Sequence, residues 1–72
     1  MNIAFTNTVV EPKVGPDGKT YYQEKQQIVA YGTQSEEKPH NYAGGSIFIE
    51  TDRASGIYVY MYDEANKVWR KQ

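Results

Sequence analysis

The sequence contains no cysteine, a single histidine, a single tryptophan and no long apolar run. Without cysteine the chain forms no disulfide and no thiolate–metal site, so neither can compensate for a thin core, and the redox compartment stays undetermined. No apolar stretch approaches the roughly 20 residues of a membrane span. The N-terminus, MNIAFTNT, lacks the basic start and apolar centre of a signal peptide, so no secretory signal is expected.

The sequence also lacks an excess of charge of either sign. The formal net charge is −1 and both signs are interspersed, which leaves no basic patch for nucleic acid or for an acidic membrane. A chain of 72 residues predicts one domain, 1–72, near the lower limit for a self-sufficient core. Tyrosine is abundant, with seven residues, and it favours both strands and interfaces. We therefore expect the core to be completed against a partner, which includes a second copy of the chain.

The first part, 1–31, predicts an N-terminal β-hairpin. Residues 3–10 alternate as a strand, and Pro12 ends that strand or confines it to a sheet edge because proline has no N–H to donate. Gly15-Pro16-Asp17-Gly18 predicts the turn. The hydrophobic residues of 19–31 fit neither the helical period nor the strand period well. Their β-rich flanks favour a returning strand, bulged or split in the middle, and the alternative is a short helix over 22–27.

The segment 32–45 predicts a long connecting loop, since serine, proline, asparagine and paired glycines disfavour regular structure. Ser35 and the acidic residues after it suit the first turn of a helix, which Pro39 would end. A loop of this length in so small a domain is typical of a functional loop, an arm that reaches a neighbour, or a mobile segment.

The last part, 46–72, predicts a second hairpin over 46–52 and 57–62 with a closing strand at 67–69. Alternation places the aliphatic residues of both strands on one face, as a core layer, and the aromatic residues on the other. Each face needs a cover. We expect the first hairpin to cover one face, and Trp69 or a partner subunit to cover the other. The predicted interface residues are Phe48, Tyr58, Tyr60, Tyr62 and Trp69.

No catalytic or metal-binding constellation is evident. His40 lies in the connecting loop without a local nucleophile or a second metal ligand, and it reads as a solvated histidine. Glu50 and Asp52 share a strand face, as glycosidase carboxylates do, but acidic residues at a strand end more often cap a turn. Calcium at Asp52, Asp63 and Glu64 would need two turns to converge, and EF-hand spacing is absent. We expect no enzyme activity, no cofactor and no metal.

A pattern of turns and aromatic residues runs through the C-terminal half. It consists of Thr33, Lys38-Pro39, Gly45-Ser46, Phe48, Glu50, Asp52, Gly56, Tyr58, Tyr60 or Tyr62, Asp63 and Trp69. This pattern resembles small β modules of tailed-bacteriophage virion proteins, of the head-fibre, tail-fibre and capsid-associated types. The turn 53–56 is longer than the Thr-Gly-Lys turn of such modules.

The resemblance implies a structural or attachment part of a virion, assembled in the host bacterial cytoplasm, that binds other virion proteins or copies of itself. The fold class predicted from the residues is mostly β: a small antiparallel sheet or partly open barrel of about five strands with little helix. Two other functions stay open. One is a small phage-encoded binder or inhibitor of a host protein. The other is nucleic-acid or glycan binding, in which bases or sugars stack on the tyrosines.

Overall fold

A computed structural model describes all residues from 1 to 72. It contains no helix, which confirms the mostly β prediction. Five strands account for most of the chain: β1 (Asn2–Val14), β2 (Thr20–Gly32), β3 (Ile47–Arg53), β4 (Gly56–Asp63) and β5 (Val68–Lys71).

The strands form one open sheet in the order β1-β2-β3-β4-β5. All neighbours are antiparallel except β2 and β3, which run parallel over Val29–Gly32 and Ile47–Glu50. The parallel pair was not predicted. It is possible because the connection Thr33–Ser46 is long enough to return the chain to the same end of the sheet, as a parallel crossover requires.

The first hairpin extends the sheet in its own plane, so the expectation that it covers a face is wrong. β2 is an uninterrupted strand through residues 22–27, which excludes the helix alternative there. The irregularity lies instead in β1, as a bulge between Ile3 and Phe5. β1 is an edge strand, and this position tolerates Pro12. The turn at Gly15–Gly18 is where it was predicted, with Gly18 at φ 78°.

Most of the first hairpin projects from the sheet as a two-stranded ribbon, residues 7–25, because β3 pairs with β2 only from Val29 onward. The molecule measures 52 × 22 × 17 Å, and its radius of gyration is 14.4 Å. A compact domain of this length would have a radius of gyration of about 11 Å. The ribbon therefore makes the protein elongated and leaves a large part of the chain outside any core.

The predicted register of the second hairpin is confirmed, since Phe48 lies opposite Tyr60 and Ile49 opposite Val59. The two faces of the sheet are covered unequally. The connection Thr33–Ser46 lies over the aromatic face, called here the loop face, where Ile28, Ala30 and Phe48 form the buried core. No strand packs across the other face, the open face. The prediction that the aliphatic residues form the core layer is therefore wrong, because the only cover in the chain is on the aromatic side.

Candidate functional site

The aromatic residues of the loop face hold the connection in place. Phe48 is fully buried, with the Trp69 ring edge-on to it at 6.2 Å. Tyr62 is also buried, with its ring 4.9 Å from that of Trp69. The Tyr62 hydroxyl donates to the main-chain carbonyl of His40 at 2.8 Å, and the Trp69 indole donates to that of Pro39 at 2.8 Å. These two rings thus bind the loop by its backbone.

A buried ion-pair network lies beside these rings. The Glu50 side chain is 1% exposed and accepts hydrogen bonds from Lys38 Nζ at 2.7 Å and Arg53 Nε at 2.9 Å. Burial alone would raise the pKa of Glu50, but the bonds from the two cations outweigh it and hold the pKa below its ordinary value. Lys38 also lies over the Tyr60 ring, 4.5 Å from its centroid. The connection is therefore anchored by charge as well as by aromatic packing.

Tyr58 lies at the margin of the loop face, between two cations. Arg53 Cζ is 4.7 Å and Lys71 Nζ is 3.9 Å from its ring centroid. The hydrogen bond with Ser55 and the positive charges of Lys71 and Arg53 lower the pKa of the Tyr58 hydroxyl. Its ring contacts cations of its own chain.

The five predicted interface residues thus lie together on one face, but they contact their own chain. Phe48 and Tyr62 have almost no exposed surface with which to bind a partner. Tyr58, Tyr60 and Trp69 are partly exposed. Their binding of another protein stays a prediction.

The open face is an apolar surface that no strand of the chain covers. Two cross-strand rows build it: Val29, Ile47 and Met61 in one, and Tyr31, Ile49 and Val59 in the other. Phe5 extends the first row onto β1, and Ile57 lies beyond the second on β4. Four of these side chains are strongly exposed: Phe5 60%, Ile57 67%, Tyr31 44% and Met61 40%.

The sequence does predict an apolar face here, because the aliphatic residues of β3 and β4 alternate. What the alternation does not encode is which face the loop covers. The open face carries no buried or paired charge between its rows, and Arg70, opposite Met61 on β5, marks its border. Such a surface can bind another apolar surface and offers no group for acid–base chemistry.

The remaining candidate residues lie apart from one another. His40 is exposed and stacks on Tyr62 at 6.1 Å. Asp52 accepts a hydrogen bond from the Gln34 amide, and Asp63 accepts hydrogen bonds from Asn66 and Arg70. No group of three or more metal-ligating side chains assembles, and the surface has no pocket.

Glu64 lies at the other end of the connection. It pairs with Lys25 and accepts the Gly44 amide at 2.8 Å. Glu64 thereby ties the loop to the base of the ribbon. The carboxylates that were considered as metal ligands or catalytic pairs thus have structural partners.

No family model, no curated protein and no solved structure matches this chain. No helix is present that could pass through a bilayer.

Proposed function

We propose that this protein is a non-enzymatic binding module that acts through protein–protein contacts, as a structural or attachment component of a bacteriophage particle. The contact surface is the open face. The interface predicted from the sequence was instead the aromatic loop face, but its tyrosines are engaged with the connection and with cations of their own chain.

The observation that supports contact through the open face is that one side of the sheet is bare. Sheets in stable domains bury each apolar face against a second layer. Here the connection covers the loop face, and no strand covers the open face, where apolar side chains stay exposed. Burial of apolar surface contributes roughly 25 cal/mol per Å². A partner that covers exposed side chains such as Phe5, Ile57 and Met61 would therefore bind with a substantial hydrophobic contribution.

The virion setting rests on the resemblance of the C-terminal half to phage virion modules. Several residues of that pattern have structural roles in this chain. Lys38, Glu50, Tyr60 and Trp69 anchor the connection, and Gly56 has a φ of 130°, which side chains rarely adopt. The pattern therefore describes a sheet with a loop packed over one of its faces. This closure leaves the other face for attachment.

The test is to look for the chain in purified particles of the phage that encodes it. Mass spectrometry of gradient-purified particles should find the chain at a fixed ratio to the capsid protein. The double variant Ile57→Lys/Met61→Lys places two charges on the open face and should be lost from particles while it remains folded by circular dichroism.

The matched control is Val14→Lys/Tyr22→Lys, which adds the same charge at exposed ribbon positions and should stay in the particles. Absence of the wild-type chain from particles, with production early in infection, would instead support a host-directed binder. Salt-dependent retention on single-stranded nucleic acid that Tyr60→Ala abolishes would support the stacking alternative.

A further inference from the structure

Over residues 5–10 the outer edge of β1 lacks the charges, proline and bulges that protect exposed sheet edges, although the bulge at Ala4 and Pro12 flank this segment. Such edges normally carry charges or proline, because their unpaired N–H and C=O groups can pair with another strand. Residues 2–10 of β1, NIAFTNTVV, contain neither, and no other element pairs with this edge. We infer that β1 pairs with β1 of a second copy of this chain, antiparallel, about a two-fold axis at Thr8.

The hairpin geometry fixes which backbone groups point outward. The Gly15 amide donates to the Lys19 carbonyl across the turn. In an antiparallel ladder such inward pairs alternate with outward ones. The even residues before the turn therefore direct their N–H and C=O groups away from β2. Pro12, which has no N–H, occupies one of these outward positions, and Thr6, Thr8, Val10 and Val14 occupy others.

The other side of the ribbon supports this assignment. The Gln26 carbonyl and the Ile28 amide face away from β1, where they bond the Ala43 amide and the Ser46 hydroxyl. Gln26 lies opposite Thr8 and Ile28 opposite Thr6. In an antiparallel pair, opposite residues both face inward or both face outward. Thr6 and Thr8 therefore present free backbone groups to solvent.

Two features limit how far a second strand can pair, and they lie symmetrically about Thr8. The bulge at Ala4 ends the regular edge on one side. The missing N–H of Pro12 ends it on the other. Antiparallel pairing about Thr8 sets Ala4 of one copy opposite Pro12 of the other. The bulge of one strand therefore lies opposite the proline of the other. The uninterrupted outward groups of Thr6, Thr8 and Val10 then pair with those of the second copy.

The side chains are compatible with this register. Thr8 lies opposite Thr8 of the second copy and Thr6 opposite Val10, and cross-strand pairs of this kind stabilise a sheet. Glu11 lies opposite Phe5, so no like charges face each other. The pairing also explains the ribbon. A two-stranded hairpin is marginally stable in water, whereas three or more strands are stable. Two copies joined at β1 turn the projecting ribbons into a four-stranded sheet.

Disulfide trapping tests the position of the axis, because the chain has no cysteine of its own. In the proposed pair the two Thr8 Cα atoms are about 5.5 Å apart, within disulfide reach. The two Thr6 Cα atoms are about 14 Å apart, because they are offset by four residues along the strands as well as lying on different strands, and they are out of reach. Under mild oxidation Thr8→Cys should form a covalent dimer at least about tenfold faster than Thr6→Cys, the matched control. Equal rates for the two variants would overturn the register.

Analytical ultracentrifugation of the intact chain over a micromolar to millimolar range tests the dimer itself. The wild type should show a monomer–dimer equilibrium. Thr8→Pro removes an outward N–H without breaking the ladder to β2, and it should shift the protein to monomer with unchanged circular dichroism. Val14→Pro removes an outward N–H beyond the paired segment and should leave the dimer intact.

The edge pairing is independent of the proposed function, and the two can fail separately. A dimer that is lost in Ile57→Lys/Met61→Lys but unchanged in Thr8→Pro would place self-association on the open face and overturn the edge proposal. A wild-type chain that sediments as a monomer throughout would overturn it as well.

Discussion

Glu50 shows how a single charged residue can be accommodated in so thin a protein. Its carboxylate is buried beneath the connection, where an unpaired charge would be strongly destabilising. Lys38 comes from the loop and Arg53 from the end of β3, so each oxygen has a charged donor. The net stabilisation from the attraction within such a network is small. Removing one partner is nevertheless strongly destabilising, because it leaves a buried charge unpaired.

We expect Glu50→Gln to lower the free energy of unfolding by about 3 kcal/mol, because Lys38 then keeps its charge in a largely buried position. A protein of this size has roughly 4–11 kcal/mol in total, so the loss should be plain in a urea titration. Arg70→Gln is the control. It breaks the pair with Asp63 at an exposed position and should cost under about 1 kcal/mol. Equal losses in both variants would contradict a structural role for the network.

At the scale of elements, the connection Thr33–Ser46 replaces a second layer of secondary structure. Side chains of the sheet bind it at several places: Tyr62 and Trp69 donate to its carbonyls, and Glu50 pairs with Lys38. At its end the Ala43 amide bonds the Gln26 carbonyl of β2. An irregular segment thus acquires the order of a structural element through contacts at separated points.

We expect Tyr62→Phe to loosen the connection while the ring packing is kept, since only the bond to the His40 carbonyl is lost. One such hydrogen bond contributes about 1 kcal/mol, so cleavage after Glu37 by a glutamate-specific protease should accelerate about fivefold. The emission of Trp69, the only tryptophan, should shift to longer wavelength. Tyr58→Phe is the control, because its hydroxyl contacts Ser55 and not the connection. No difference between the two variants would mean that the loop is held without this bond.

The strands and their register were predictable because alternation is a local property: Ile49 with Val59 and Phe48 with Tyr60 follow from period two. The cover on the loop face was not. Its anchors are backbone carbonyls at Pro39 and His40, which any residue could supply, and they leave no periodic pattern. The parallel pairing of β2 and β3 was unpredictable for the same reason, since it depends on the path of that loop.

At the scale of the whole molecule, the protein is a single sheet with one covered face. Ion pairs join segments of the chain that the small core does not hold together. Glu36 pairs with the N-terminal ammonium, Glu64 joins the turn after β4 to Lys25, and Asp63 pairs with Arg70. With Glu50, these pairs tie the ribbon, the connection and the last turn to the sheet. Stability should therefore depend on the protonation of these carboxylates, and most strongly on that of the buried Glu50.

Five carboxyl groups have a pKa lowered by their partners. For Glu36 the cause is the N-terminal ammonium, for Glu64 it is Lys25, and for Asp17 it is Tyr21. For Asp63 the causes are Asn66 and then Arg70, and for Glu50 the two cations outweigh burial. A group whose folded-state pKa is depressed stabilises the protein above its unfolded-state pKa, and this contribution is lost as the pH falls through the folded-state pKa.

The free energy of unfolding should therefore be level near neutrality and should fall as the pH drops below the ordinary carboxyl range near pH 4.5. Glu50 is the most buried of the five, so its contribution is the least screened. A protonated Glu50 resembles glutamine, and the difference between wild type and Glu50→Gln, large at neutral pH, should shrink as the pH falls through the folded-state pKa of Glu50. Urea titrations of both proteins across this range measure it. A constant difference at every pH would mean that the variant acts through packing and not through the charge, and the Lys38–Glu50–Arg53 network would then not be what anchors the connection.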